Sequence, residues 1–153
     1  MDMIKVYLKE NRATFVKINN LKISETIMKE LEKNSSKEIK LDMGDEMFEV
    51  ILKFCKHYMK EKTNEVNLLE NTSFKKFSTD WDKLFFQDDI MNTRIEEKFE
   101  TEKEKEILIL SKYVKVAHFL KINHLYNLLC LKISESFVNQ SNGQILSNLE
   151  IES

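Results

Sequence analysis

The chain of 153 residues has no proline, only two glycines, Gly44 and Gly143, and only two cysteines, Cys55 and Cys130. With so little proline or glycine to punctuate the chain, turns fall to Asn, Asp and Ser, and element boundaries are weakly marked. Two isolated glycines cannot build the glycine-rich loop that cradles a phosphate ahead of a helix N-terminus, which argues against nucleotide use. Both cysteines sit inside apolar helical patterns, where a thiol behaves as a small buried hydrophobe rather than as part of a disulfide framework. Net charge is also lacking: 24 basic and 26 acidic residues nearly cancel, so there is no field to hold nucleic acid or an anionic membrane. No apolar run is long enough to cross a bilayer, and Met1-Asp2-Met3-Ile4-Lys5 lacks the basic and apolar regions of a signal peptide. The expected location is cytoplasmic and nuclear, with no nucleic-acid and no membrane partner.

What is present is a globular balance: 42% hydrophobic and 33% charged residues predict one compact domain with a solvated surface. Ile4-Lys5-Val6-Tyr7-Leu8 and Thr14-Phe15-Val16-Lys17-Ile18, separated by polar Lys9-Glu10-Asn11-Arg12, predict an opening β-hairpin. Ser24 then caps a short amphipathic helix with Ile23, Ile27 and Leu31 on one face, and Glu38-Ile39-Lys40-Leu41 alternates as a half-buried strand does. From about Asp45 a helix carries Met47, Ile51, Phe54, Cys55 and Tyr58 along one stripe, ending in Lys60-Glu61-Lys62. Thr63 to Phe77 has no sustained period and is expected to be a connection. Ser78-Thr79-Asp80 offers caps for a brief helix that plants Trp81 or Phe85 in the core.

The mixed-sign stretch from Arg94 to Glu106 suits a solvated helix face or a mobile excursion. Ile107 to Leu120 is a strongly apolar helix, with Leu110, Val114 and Ala117 on one row and Tyr113, Ala117 and Leu120 on the next. After Lys121-Ile122-Asn123, a further helix carries Leu125, Leu129, Ile133 and Phe137 at four-residue intervals, with Leu128 and Leu131 beside them. That double stripe is more apolar than one core contact needs. Ser141-Asn142-Gly143-Gln144 fits a capping box ahead of Ile145 and Leu149. An α+β domain whose late helices carry surplus apolar surface is built to bind another protein.

Candidate chemistry is thin. His57 lies two residues from Cys55, and His118, His124 and Cys130 are each six apart and so rotate to different helix faces; no four-ligand metal set results. A nucleophilic Cys with a His base would form only in the fold, but the thiols, in apolar stripes, are expected to be inert; the expectation is no catalytic residue, no metal and no cofactor. Phe74, Phe77, Trp81, Phe85 and Phe86 could stack bases, but Asp80, Asp82, Asp88 and Asp89 among them would repel a phosphate backbone, so they are expected to pack a core.

The residues resemble the S-phase kinase-associated (Skp) family, adaptor subunits of Skp, cullin and F-box ubiquitin ligases, over Ile4 to about Ile151. Ile4-Lys5-Val6 and Ser24-Glu25-Thr26-Ile27, closing on Leu31, are similar to the family's first strand and first helix, features shared with elongin C. Val50-Ile51-Leu52-Lys53-Phe54-Cys55-Lys56-His57-Tyr58 resembles its aromatic, Cys, His helix, and Trp81-Asp82-Lys83-Leu84-Phe85 its Trp-Asp segment, which elongin C lacks. Ala117-His118-Phe119-Leu120-Lys121-Ile122, leading into Leu125 and Cys130, resembles its Ala-Asn-Tyr-Leu-Asp-Ile signature and the following helix.

The resemblance implies a BTB/POZ fold, a small β-sheet with a helical cluster, over 1–122, followed by F-box-binding helices over 123–153. It implies a non-catalytic adaptor that bridges an F-box protein to a cullin. His118 and Phe119 stand where the family's Asn and Tyr contact cullin; Leu125, Leu128, Leu129, Ile133, Phe137, Ile145, Leu149 and Ile151 fall in the helices that pack on an F-box. Each of these apolar residues has the alternative role of filling the domain's own core. The alternative functions are a divergent BTB/POZ module that binds an F-box protein or itself without cullin, including a homodimer in isolation, or an elongin C-like adaptor. Besides the replacement of the family's Asn by His118 and of its Tyr by Phe119, which removes a phenol hydroxyl, three further departures accompany the likeness: a charged insertion over about 87–106, Ser141-Asn142-Gly143 where the family carries a proline, and an expected stop before the family's final helix.

Overall fold

The computed structural model describes residues 2–33, 37–59 and 72–138. The hairpin is present as β1 (Met3–Tyr7) and β2 (Ala13–Lys17), antiparallel with Met3 opposite Lys17 and Tyr7 opposite Ala13. Glu10 and Asn11 turn it with positive φ (61° and 60°), a conformation that Asn accepts more readily than Glu. A single 3₁₀ turn, Ile18–Leu21, leads to α1 (Glu25–Lys33), and β3 (Glu38–Lys40) then pairs parallel with β1. The resulting three-stranded sheet has the order β2-β1-β3. Alternation along β1 buries Ile4, Val6 and then Leu8, while Met3, Lys5 and Tyr7 face the other way.

The helical part begins with α2 (Asp45–Tyr58), whose buried face is Phe48, Ile51, Leu52, Phe54, Cys55 and Tyr58. Where a featureless connection was expected up to Phe77, the chain instead winds one helical turn, α3 (Phe74–Phe77), capped by Ser73 accepting from the Lys76 N–H. Four residues are too few to show a period, and so the turn was invisible to a pattern search. α4 (Asp80–Phe85) starts with a reciprocal capping box: Thr79 Oγ1 accepts from the Asp82 N–H and Asp82 Oδ2 accepts from the Thr79 N–H. It continues as a wider π turn over Phe86–Ile90.

The charged insertion expected over about 87–106, with a solvated helix face or a mobile excursion from Arg94 to Glu106, divides. Ile90 and Thr93 are interior, with Thr93 Oγ1 2.6 Å from the Tyr113 hydroxyl, whereas 94–101 lies along the surface. From Glu102 the charges form the first turns of α5 (Glu102–Leu120), capped by Thr101, so that helix begins five residues before its apolar run. α6 is Asn123–Val138. Ile109, Leu110, Tyr113, Ala117 and Leu120 of α5 join Leu125, Leu128, Leu129 and Leu131 of α6 in a hydrophobic cluster that also holds the sheet and α2. The cluster therefore runs unbroken across the boundary expected at 122. No helix among the described residues is long and apolar enough to cross a membrane.

Candidate functional site

The two halves of the resemblance meet at the turn between α5 and α6, where backbone geometry sets which side chains face outward. α5 ends on Lys121 in the left-handed conformation (φ 53°, ψ 48°), and the Ile122 N–H returns to the Ala117 carbonyl at 3.0 Å. This closing pattern satisfies carbonyls that a helix C-terminus otherwise leaves open. Two hydroxyls from the start of α1 take the next ones: Ser24 Oγ donates to the Leu120 carbonyl at 2.7 Å and Thr26 Oγ1 to the Phe119 carbonyl at 2.6 Å. Ser24 also caps its own helix by accepting from the Ile27 N–H.

With its carbonyl held in this way, Phe119 projects outward and is 61% exposed, unusual for so large an apolar side chain. His118 beside it is exposed, with its ring 5.4 Å from that of Tyr126. Phe119 borders an open cleft of about 470 Å³ whose other walls include Tyr7, Thr26 and Ile27, the acidic Glu30 and Glu38, and β3. Both residues expected to meet a cullin thus lie together on the surface.

The eight residues expected to meet an F-box are placed differently. Leu125, Leu128 and Leu129 are fully buried in the core, and Ile133 is half-buried against it. In this conformation the three leucines are occupied by the chain's own packing and offer no partner a contact. The side chain of Phe137, and all of Ile145, Leu149, Ile151 and the capping box at Ser141, lie outside the described residues.

Below the turn, a cluster of rings fixes α6 to α2 and α4. His57 stacks on Trp81 with centroids 3.8 Å apart and planes within 2°, and Trp81 stacks in turn on Phe85 at 5.0 Å. Phe85 is buried, so of the two side chains expected to enter the core it goes deeper, while Trp81 is half-buried against it. Asp82, fully buried, accepts from the Tyr58 hydroxyl at 2.5 Å in addition to its capping bond, so both side-chain oxygens are partnered, as buried polar atoms require. His124 lies among Phe54, Tyr58 and Phe77. Burial holds its imidazole below the usual histidine value, against the opposing pull of the Asp82 carboxylate.

The sequence singled out Ser24 as a cap but not as a tie to α5, 96 residues away; no local signal announces such a bond. Asp82 was more accessible to reasoning, because Thr79 and Asp82 stand at capping-box spacing. Of the two thiols expected in apolar stripes, Cys55 is buried and is pushed up to about 12 by that burial, whereas Cys130 is only half-buried and is raised chiefly by burial. Among the described residues no group of three or more His, Cys, Asp or Glu could hold a metal ion. No protein-family model matches the chain, and no curated protein matches it significantly.

Proposed function

We propose that the chain is a BTB/POZ-fold adaptor of the Skp type, bridging an F-box substrate receptor to a cullin within a ubiquitin ligase, in the cytoplasm and nucleus. One observation carries this reading. Phe119, 61% exposed beside an open cleft and held by the Thr26 bond to its carbonyl, occupies the place where the Skp resemblance puts a cullin contact. A small mixed sheet followed by a helical cluster supports it, as does the Trp81-Asp82 segment packed against the His57 helix. The adaptor does no chemistry; its work is positioning. Phe119 and His118 meet the cullin, and half-buried Ile133, with Phe137, Ile145, Leu149 and Ile151 further along the sequence, meets the F-box.

The test is co-purification with a tagged cullin and an F-box peptide. The wild type should recover both, and Phe119→Asp should lose the cullin while keeping the F-box peptide and an unchanged circular dichroism spectrum. Recovery of the F-box peptide without cullin by the wild type would remove the bridging role and leave a binding module. Recovery of neither would remove the adaptor reading altogether.

A further inference from the structure

The free edge of β2 is unoccupied among the described residues, and its register can be worked out. Leu8 donates its N–H to the Arg12 carbonyl and Ile18 to the Asp2 carbonyl. The hydrogen-bonded pairs of the hairpin are therefore 2 with 18, 4 with 16, 6 with 14 and 8 with 12, given the observed register and the two-residue alternation of an antiparallel ladder. It follows that Thr14 and Val16 spend their backbone groups on β1. The N–H and C=O groups of Ala13, Phe15 and Lys17 point away from the sheet. The middle residue of the three, Phe15, is 66% exposed. An open edge carrying an exposed aromatic is a template for another strand.

We propose that the strand which fills this edge is β2 of a second copy, running antiparallel about a two-fold axis at Phe15 and making a continuous six-stranded sheet. The reason is self-complementarity, which an isologous interface demands. Reversing Ala13-Thr14-Phe15-Val16-Lys17 onto itself sets Phe15 opposite Phe15, Ala13 opposite Lys17 and Thr14 opposite Val16. All three outward residues then pair with outward residues, so each N–H and C=O on the two edges finds a partner. A register centred on Thr14 or Val16 leaves one outward residue of each copy unpaired, and one centred on Lys17 sets two lysines face to face, which is destabilising.

The side chains on the exposed sheet face agree. Lys5 lies opposite both Phe15 and Glu38 across the sheet, with its ammonium 5.9 Å from the Phe15 ring centroid. The central row of the joined sheet thus becomes Glu38, Lys5, Phe15, then Phe15, Lys5, Glu38, with no like charges adjacent. Lys17 of one copy falls between Ala13 of the other and its own neighbour Met3. The two phenylalanines form an aromatic cross-strand pair that covers the most exposed of the large apolar side chains described.

Sedimentation velocity over a wide range of concentration tests this. The wild type should show a concentration-dependent dimer. Phe15→Lys, which sets two ammonium groups opposite each other, should weaken it about tenfold or more, and Phe15→Pro should weaken it too, because that N–H serves only the second strand and the β1 ladder is untouched. Circular dichroism of both variants checks that they remain folded. Phe15→Cys should form a disulfide-linked dimer on mild oxidation, since residues opposite in such a pair lie about 5.5 Å apart at Cα, whereas Leu84→Cys, exposed on α4, should not. A wild type that stays monomeric throughout, or a dimer indifferent to both Phe15→Lys and Phe15→Pro, overturns the proposal. So does a monomer whose Phe15 amide is protected from hydrogen exchange only when an F-box protein or cullin is added, which would assign the edge to that partner.

Discussion

Replacing Ser24 with Ala should cost far more than its size suggests. The hydroxyl is fully buried and makes two bonds, accepting from the Ile27 N–H at 3.3 Å as the cap of α1 and donating to the Leu120 carbonyl at 2.7 Å. Loss of a serine cap costs about 1 kcal/mol. Loss of the second bond costs roughly 1 kcal/mol more, and because it strands a carbonyl at the end of α5, the penalty moves toward the upper part of a range of about 1–3 kcal/mol. The total is about 3–4 kcal/mol, which at a urea slope of about 1.5 kcal/mol/M lowers the unfolding midpoint by roughly 2–2.7 M. Thr26→Val removes only the donation to the Phe119 carbonyl, where water can reach, and should cost about 0.5–1 kcal/mol. The double variant should deviate from additivity, since both hydroxyls serve the same junction. A Ser24→Ala loss below about 0.5 kcal/mol would refute the claim that α1 ties down the end of α5.

Lys121 adopts φ 53° with an exposed side chain, so Lys121→Gly should raise stability by about 1 kcal/mol in the same urea experiment, relieving a left-handed conformation that glycine adopts freely. His124 is held below its unfolded value of 6.5, first by burial; the unfolded chain therefore takes up the proton first, and stability that is full above about pH 7 falls as pH drops through 6.5 and below. The check is the difference in urea stability between wild type and His124→Gln across pH 5–8, which should shrink toward acid. Cys55, pushed up to about 12 by burial, should resist iodoacetamide at neutral pH and react only as the protein unfolds; labelling of the native protein at the rate of a free thiol would contradict its placement in the core.

The elements with enough length to display a period were legible: the hairpin, α1, α2 and α6 begin within about two residues of where alternation or a capping residue placed them. What escaped had physical reasons. α3 is a single turn, held by the Ser73 cap and by Ser78 donating to the Phe74 carbonyl, and four residues cannot express a 3.6-residue repeat. α5 begins at Glu102 because Thr101 can cap it and its acidic first turn suits a helix N-terminus, yet the same charges read equally well as a solvated loop. At the candidate site, periodicity showed that Leu125, Leu128 and Leu129 share a face of α6 but not what the face meets. The answer, the chain's own core, depends on α5 and α2, which lie far away in sequence.

That outcome reshapes the adaptor proposal. An adaptor that works by positioning needs two partner surfaces joined by something stiff, because freedom at the joint would spread the receptor over many orientations relative to the scaffold. The leucines of α6 contribute to stiffness rather than to contact: buried with Leu120 and Ile122 in the core, they lock α6 against α5 directly below the turn. Lys121 closes that turn and Ser24 and Thr26 clamp its carbonyls from α1. Under this reading Leu129→Ala, which removes side-chain volume from a fully buried position, should cost about 2–5 kcal/mol of stability while leaving the F-box affinity of the folded fraction unchanged. Ile133→Asp should do the reverse on α6's half-buried side, weakening F-box binding more than stability. If Leu129→Ala instead lowers the affinity of protein shown to be folded by circular dichroism, the leucine face is itself the contact and α6 must open to receive its partner.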